Sequence, residues 1–236
     1  MPSGTKLRGA LIAAIAALAT CGLLTLASSS TQITYALDSL KGLEPLNANA
    51  EIVSYRGRRA LHLSPFQTPQ PNNNSLVALL SGTDFHDGTI EAEVAGVPIL
   101  SMDSTARGFV GIEFRIQDHG AKAENIYLRP TNGRADDQLR RNHSVQYESF
   151  PDFPWDRLRR EQPGVYESYA DLEAGAWTKM KIEVSGTKAK LYVNGAAQPC
   201  LLVNDLKLGD SRGQIALWAF VSTNAYFSNL RITKAD

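Results

Sequence analysis

The 236-residue chain has little cysteine, little histidine and no net charge, and each shortage excludes a class of protein. Its four histidines lack the HExxH or HxH spacing of a zinc site. Loss of the leader described below would remove Cys21 and leave Cys200 alone, without a partner for an intramolecular disulfide or a cysteine-based metal site. Balanced charge argues against nucleic acid or an anionic membrane recruited by bulk charge, although a local basic patch stays open.

The N-terminus carries a processing signal. Lys6 and Arg8 precede an apolar run over residues 10–27, and small residues occupy 27–30. This pattern is typical of an export signal peptide. We therefore predict a signal peptide over 1–30, with cleavage as late as Ala36 as an alternative, and export to the periplasm or the extracellular space. The run is long enough to span a bilayer, so an uncleaved anchor over 7–27 is the alternative, and it would be the chain's only contact with a membrane.

After the leader, apolar and polar residues alternate with a period of two. The clearest cases are GTIEAEV (88–94), FVGIEFRI (109–116), WTKMKIEV (177–184) and AKLYV (189–193). Alternation predicts half-buried strands whose apolar residues point inward, and pairs such as Asn194-Gly195 supply turns between them. The residues predicted to point inward are Ile90, Ala92, Val94, Val110, Ile112, Phe114, Ile116, Met180, Ile182, Val184, Ala189, Leu191, Val193, Ile215 and Leu217. Many short strands without intervening helices predict an all-β protein, a two-sheet antiparallel jelly-roll sandwich that forms one domain over 31–236.

The order of motifs in the second half resembles a known superfamily. FHDGTIEAEV (85–94), ARGFVGIEFRI (106–116), NIYLRP (125–130), GAWTKMKIEVSGTKAKLYVNG (175–195), GQIALW (213–218) and AYFSNLRI (225–232) follow one another. Together they resemble the concanavalin A-like lectin/glucanase superfamily, and more narrowly its laminin-G-like and 3-keto-disaccharide-hydrolase-like jelly rolls. The resemblance implies a concanavalin A-like sandwich with a saccharide as partner. Its motifs are structural and assign no activity.

Residues expected from an active or metal-binding member are missing or unassigned. Laminarinase-type hydrolases carry Glu-x-Asp-x-x-Glu on one strand, whereas Glu91 and Glu93 here lack the middle aspartate and the third carboxylate. The resemblance leaves a structural calcium ion open without naming ligands, and we predict no cofactor. An enzyme, specifically a glycoside or keto-glycoside hydrolase, stays an alternative to a binding domain.

Residues 129–170 interrupt the alternation and form a long insertion. The segment contains six aromatic residues, which disordered segments lack, so we predict a strand near 143–150 and a short helix near 155–161. A second loop-like stretch, 64–75, is interpreted as a surface connection.

The predicted saccharide site combines this insertion with outward-facing residues of the concave sheet. Aromatic faces pack on sugar C–H bonds, and planar polar groups pair with hydroxyls. The candidate ligand-binding residues are Arg115, Asn125, Tyr127, Arg129, Tyr147, Trp155, Arg157, Tyr166 and Trp218. For each of them, a cross-strand charge pair or core packing is the structural alternative.

Acidic residues of the insertion are the weaker, catalytic candidates. They are Glu148, Glu167, Asp136 and Asp137, with His143 as a proton carrier. Asp136 and Asp137 stand among Arg129, Arg134, Arg140 and Arg141. These charges predict either an acid/base or calcium site whose arginines hold an anionic sugar, or mutual neutralisation. An interaction domain without a sugar ligand is the remaining alternative, and the oligomeric state is not predicted.

Overall fold

The computed structural model describes residues 31–67 and 73–235. In chain order, the strands of these ranges are β1 (Thr31–Tyr35), β2 (Leu43–Leu46), β3 (Asn49–Tyr55), β4 (Arg58–Ser64), β5 (Ser75–Leu80), β6 (Gly88–Pro98), β7 (Val110–Gln117), β8 (Lys122–Leu128), β9 (Val145–Phe150), β10 (Glu167–Ser168), β11 (Thr178–Ser185), β12 (Lys188–Val193), β13 (Leu201–Val203), β14 (Gln214–Phe220) and β15 (Thr223–Lys234). The helices are α1 (Gln138–Arg141) and α2 (Trp155–Glu161), and short 3-10 helices cover Asp118–Gly120 and Pro130–Asn132.

Two antiparallel sheets form a sandwich. Sheet A has the order β13-β12-β11-β6-β15-β4-β3, and β1 also pairs with β15; sheet B has the order β10-β9-β8-β7-β14-β5-β2. Neighbours in a sheet are often distant in sequence, as where β6 lies between β11 and β15, which is jelly-roll connectivity and not a simple meander. The predicted two-sheet antiparallel sandwich is confirmed.

The core lies between the sheets. Alternate residues of β6, β11 and β14 that were predicted to point inward are buried there, namely Ile90, Ala92, Val94, Met180, Ile182, Val184, Ile215 and Leu217. Because successive side chains of a strand point to opposite faces, the residues between these lie on the outer faces of the sandwich. The outer face of sheet B carries the candidate site described below.

One strand breaks its alternation. The pairing of β7 with β8 shifts after Phe114, and Arg115 takes a φ of 53°. Beyond this irregularity Ile116 packs with Ala216 in a small separate cluster and not in the main core. The prediction that Ile116 faces the core is wrong, because alternation does not persist through a β-bulge.

The insertion 129–170 extends sheet B. Strand β9 pairs with β8, and β10 pairs with β9 at the sheet edge. Helix α2 lies between β9 and β10 in sequence and buries Leu158, while the ion pairs Asp156–Arg160 and Arg157–Glu161 join successive turns of its exposed surface. The predicted strand and helix of the insertion are confirmed.

Several predictions fall on residues that are not described. The predicted leader 1–30, including Cys21, lies outside the described ranges, and so does 68–72 of the second loop-like stretch. In the described ranges, no helix is long and apolar enough to cross a membrane.

Candidate functional site

A cavity of about 570 Å³ opens at the end of sheet B where β7 begins and β8 and β14 end. We call it the arginine pocket. Its lining residues are Asp103, Thr105, Ala106, Arg107, Phe109, Arg129, Asn132, Asp137, Leu139, Arg140, His143, Trp155, Arg159, Phe220 and Ser222. Of the residues predicted from sequence, it brings together Arg129, Trp155, His143 and Asp137. Its size suits a small-molecule site.

Arg129 is the most buried arginine of the pocket, at 5% exposure. Its guanidinium lies 5.0 Å from the ring centroid of Phe109 and 5.3 Å from those of Tyr127 and Trp155. Nη2 donates to the Tyr127 hydroxyl at 2.9 Å, whereas the buried Nε has no hydrogen-bond partner in the described chain. Cation–π contacts therefore hold this guanidinium in place while one donor stays unused.

Arg107 and Arg140 are held side by side. Arg107 Nη1 and Arg140 Nε both donate to the side-chain oxygen of Asn132, at 3.2 and 3.0 Å. Burial lowers the pKa of Arg107, and the nearby charges of Arg140 and Arg129 lower it further. A neutral amide thus brings two cations together without neutralising them.

Arg159, from α2, is neutralised. Its Nε lies 3.1 and 3.0 Å from the two carboxylate oxygens of Glu167, and His143 Nε2 lies 3.2 Å from the same group. Partial burial lowers the pKa of His143, against an opposing effect of Glu167. Glu167 therefore links α2 to β10 as an ion-pair partner and is not a free acid.

Aromatic residues lie beside the pocket and in its lining. Tyr127 and Trp218, both nearly buried, have ring centroids 5.0 Å apart on the outer face of sheet B. Neither lines the pocket, but the Tyr127 hydroxyl accepts the hydrogen bond from Arg129. Trp155 is 39% exposed and does line the pocket, together with Phe109 and Phe220. The pocket thus combines exposed ring surface with planar hydrogen-bond donors.

A buried polar row crosses the same face of sheet B. Asn125 on β8 is opposite Glu113 on β7 and Glu148 on β9. Asn125 donates to Glu148 at 3.1 Å, and the Trp155 backbone amide donates to the other Glu148 oxygen at 3.3 Å. Burial raises the pKa of Glu113 to about 8, with a further contribution from Glu148, and burial raises the pKa of Glu148 to about 7. These carboxyl groups are therefore partly protonated at neutral pH.

A second cavity, of about 370 Å³, lies on the other side of this row. Glu113 lines it among mainly apolar residues such as Val77, Leu79 and Phe150. Glu148 accepts a hydrogen bond from the backbone amide of Trp155, which lines the arginine pocket, and Glu113 lines the second cavity. The two carboxyl groups therefore lie between the two cavities. Proton donors beside a ligand cavity are a general feature of acid–base catalysis.

No family model and no curated protein matches this chain. Solved structures do match in fold. The carbohydrate binding module CBM66 from Bacillus subtilis has a TM-score of 0.55 at 15% identity, over 81% of this chain and 95% of that one. A β-1,3-1,4-glucanase (lichenase) derived from a mouse hindgut metagenome has a TM-score of 0.55 at 12% identity, over 87% and 100%. A Bacillus subtilis protein with a galectin-like fold has a TM-score of 0.53 at 14% identity, over 86% and 95%.

The fold is a concanavalin A-like jelly roll. In this jelly roll Arg115 lies away from the arginine pocket, contrary to the prediction of ligand contact. It is fully buried, and its guanidinium donates to the backbone oxygens of Gly209 and His86 at 2.7 and 2.9 Å and to Asp87 at 3.0 Å. The β-bulge directs this side chain to the loops at the sheet end, where the protein itself uses its donors.

Tyr147 and Tyr166 also depart from the predicted ligand set. Both belong to the core between the sheets, with ring centroids 5.5 Å apart. The Tyr147 hydroxyl donates to Glu124 at 2.6 Å, and the Tyr166 hydroxyl donates to Asp205 at 2.7 Å. Both hydroxyls are therefore occupied inside the protein. Tyr147 points to the core because alternation on β9 places Glu148 on the outer face, and Tyr166 lies just before β10.

The arginines of the insertion pair with residues other than Asp136 and Asp137. Arg134 pairs with Asp171 and Glu173, and Arg141 donates to the Tyr169 hydroxyl. Arg157, a predicted ligand, pairs with Glu161 outside the pocket. Asp136 is exposed, and Asp137 caps α1 by accepting from the Arg140 amide. Neither aspartate makes a side-chain ion pair with an arginine in the described ranges, so the predicted mutual neutralisation of Asp136 and Asp137 with the surrounding arginines is wrong.

His86, Asp87 and Asp210 form a cluster whose ligand atoms lie close enough to hold a metal ion. The Arg115 guanidinium reaches into this cluster, 3.0 Å from Asp87 and 3.9 Å from Asp210. It already supplies the positive charge that these carboxylates need. The cluster is therefore interpreted as an ion-pair network, and the structural calcium ion stays without assigned ligands.

Sequence reasoning missed Arg107 and Arg159 of the pocket, along with Phe109 and Phe220. Arg107 lies in the loop before β7, Arg159 lies in α2, and Phe109 and Phe220 lie at strand ends, so no local pattern singles them out among many similar residues. The only available signal was the alternation of β14, which places Phe220 on the same face as Trp218.

Proposed function

We propose that the protein is an exported carbohydrate-binding domain whose saccharide site is the arginine pocket, on what would be the concave sheet. The observation that supports it is the meeting of exposed ring surface from Trp155 with guanidinium groups in one cavity of suitable size. Rings pack against the apolar face of a sugar, and guanidinium and amide groups pair with its oxygen atoms. The names of similar solved structures, a carbohydrate binding module and a glucanase, agree with this chemistry.

Export follows from the sequence of the leader and is part of the proposal. Of the two cleavage positions, the earlier one leaves Thr31–Tyr35 in the mature chain. These five residues form β1 and pair with Leu230–Lys234 of β15, whereas cleavage after Ala36 would remove the strand. We therefore favour cleavage near residue 30. Periplasmic or extracellular protein that begins near residue 31 by mass spectrometry would support this, and an uncleaved, membrane-bound chain would favour the anchor.

The binding proposal is tested by titrating a panel of oligosaccharides into the protein and its Trp155→Ala variant. Stacking on one aromatic ring contributes about 1 kcal/mol, so loss of Trp155 is expected to weaken binding at least fivefold. Tyr169→Ala is the matched control, because Tyr169 has the same 39% exposure, lies in the same insertion and does not line the pocket. Absence of any saccharide binding at millimolar concentration would favour an interaction domain without a sugar ligand.

A glycan-active enzyme is the second candidate function. The observation that favours it is the buried pair of Glu113 and Glu148 between two cavities, with both pKa values near neutrality. Such a pair can supply a protonated acid and an ionised base at the same pH. Turnover of a glycoside that Glu148→Gln abolishes, while Trp155→Ala mainly weakens binding, would establish this function. Unchanged turnover in both Glu113→Gln and Glu148→Gln would exclude these residues.

A further inference from the structure

We propose that the ligand of the arginine pocket is an acidic saccharide, whose carboxylate or sulfate group is held by Arg107, Arg129 and Arg140. This inference rests on the proposed saccharide function and specifies its substrate class. It follows from the charges that the pocket leaves unpaired, from the donor that it leaves unused, and from the way in which its guanidinium groups are fixed.

The charge of the pocket is incompletely paired. Four arginines and two aspartates line it, and Arg159 is paired with Glu167 just outside the lining. Arg107, Arg129 and Arg140 have no ion-pair partner within 31–67 and 73–235. Both aspartates keep their charge but make no ion pair with these arginines in the described ranges. Asp103 accepts from the amide and hydroxyl of Thr105, and Asp137 caps α1, so they offset the positive charge of the pocket only in part.

Burial makes this excess charge unfavourable without a counter-ion. Arg129 is only 5% exposed, and its Nε lacks a hydrogen-bond partner among the described residues. Buried charged groups in proteins are normally paired, because removal from water is otherwise costly. Arg107 and Arg140 meet at the neutral oxygen of Asn132, which satisfies hydrogen bonds and leaves both charges in place. An incoming anion would supply the missing charge.

The three guanidinium groups are also held before any ligand arrives. Asn132 is 3% exposed and donates to the His143 backbone oxygen at 2.9 Å, which fixes the acceptor that Arg107 and Arg140 share. The rings of Phe109, Tyr127 and Trp155 fix Arg129. Planar guanidinium groups match carboxylate and sulfate oxygens through paired N–H donors. Trp155 would then contact the sugar ring that carries the acidic group.

The test compares acidic oligosaccharides with neutral forms of the same skeleton. Trigalacturonate and its methyl ester make up the first pair in calorimetric titration, and a carrageenan disaccharide sulfate and its desulfated form make up the second. We expect at least tenfold tighter binding of one acidic member than of its neutral form, and a preference that decreases as salt is raised. The first pair identifies a carboxylate and the second a sulfate.

Three variants link the preference to the pocket. Arg107→Gln and Arg140→Gln each leave Asn132 bonded to the other arginine and are expected to reduce the acidic preference at least fivefold. Asn132→Asp places a carboxylate against both guanidinium groups and is expected to remove the preference without removing either arginine. Arg134→Gln, an arginine of the same insertion paired outside the pocket, is the control and should retain the preference. Thermal unfolding of each variant checks that it is folded.

The outcomes separate this inference from the proposed function. Equal binding of acidic and neutral members would overturn the acidic preference and leave saccharide binding in place. A preference that survives both arginine variants would overturn the assignment to this pocket. If no oligosaccharide binds, inorganic sulfate is titrated into the protein and binding is followed by calorimetry. Sulfate binding that Arg140→Gln abolishes would support the anion site and contradict the saccharide function, whereas no binding of sulfate or sugar would refute both.

Discussion

Replacing Glu113 with glutamine should stabilise the protein above neutral pH. Glu113 is a buried carboxyl group on the outer face of sheet B, and burial together with the nearby Glu148 raises its pKa from 4.5 to about 8. Between these two values the folded protein holds a proton that the unfolded chain has released. The free energy of unfolding therefore falls as pH rises from about 4.5 to about 8, and is unaffected by this group at lower pH.

The magnitude follows from the two pKa values. Each unit of pKa difference corresponds to about 1.4 kcal/mol. The ionisation of Glu113 therefore lowers the free energy of unfolding by about 5 kcal/mol between acidic pH and pH above about 8. Glutamine has the same shape without the ionisation, so Glu113→Gln should lose most of this pH dependence. Allowing for relaxation around the site, we expect the variant to be about 2–4 kcal/mol more stable than the wild type at pH 8.5 and similar at pH 5.

Urea unfolding at pH 5, 7 and 8.5 measures both effects. Glu44→Gln, an exposed glutamate on β2 of the same sheet, is the control and should change the free energy of unfolding by less than about 0.5 kcal/mol at every pH. Two results would show that Glu113 is ionised and favourably paired in the fold. One is a Glu113→Gln variant that is less stable than the wild type at pH 8.5. The other is a wild type that gains stability from pH 5 to 8.5 while the variant does not. The reasoning about the buried pair would then be refuted.

Two further predictions concern the frame of the site. Asp87→Asn should destabilise the fold by about 3 kcal/mol in urea unfolding, because the buried Arg115 loses its nearest carboxylate. Asp210→Asn should cost less than about 1 kcal/mol, because Asp210 is largely exposed and lies 3.9 Å from the Arg115 guanidinium. Equal losses in the two variants would contradict the ion-pair assignment. Gly111→Ala should cost about 1–3 kcal/mol, because its Cβ would lie 2.5 Å from Tyr127 Cβ and against the Ile126 carbonyl oxygen. A neutral effect of Gly111→Ala on both stability and oligosaccharide affinity would show that Tyr127 can move without disturbing Arg129.

The position of Gly111 shows how the fold serves the pocket. It lies opposite Tyr127 on one neighbouring strand and Trp218 on the other. Without a side chain between them, the two rings come within 5.0 Å of each other across the strand. The Tyr127 hydroxyl in turn accepts a hydrogen bond from Arg129, so one glycine near the start of β7 makes room for a ring that holds the most buried guanidinium of the pocket.

The sequence by itself determined the sandwich and the elements of the insertion. Alternation in β6, β11 and β14 is a property of neighbouring residues, and so is the helix over Trp155–Glu161, with its buried Leu158 and its ion pairs between turns. Such signals are local and can be read along the chain. The same local reasoning placed Asn125, Tyr127 and Arg129 on one outward face and included Trp155 among the candidates.

Only the tertiary structure decided which partner each charged group has. Arg115 and Arg129 look alike in sequence, yet a β-bulge directs Arg115 to Asp87 and the loops, while Arg129 enters the pocket among aromatic rings. Arg107 meets Arg140 because strand pairing brings the loop before β7 to Asn132, 25 residues away. Glu113 and Glu148 flank Asn125 only because β8 pairs with both β7 and β9. Ion pairing and burial depend on distances through space, which alternation along the chain does not encode.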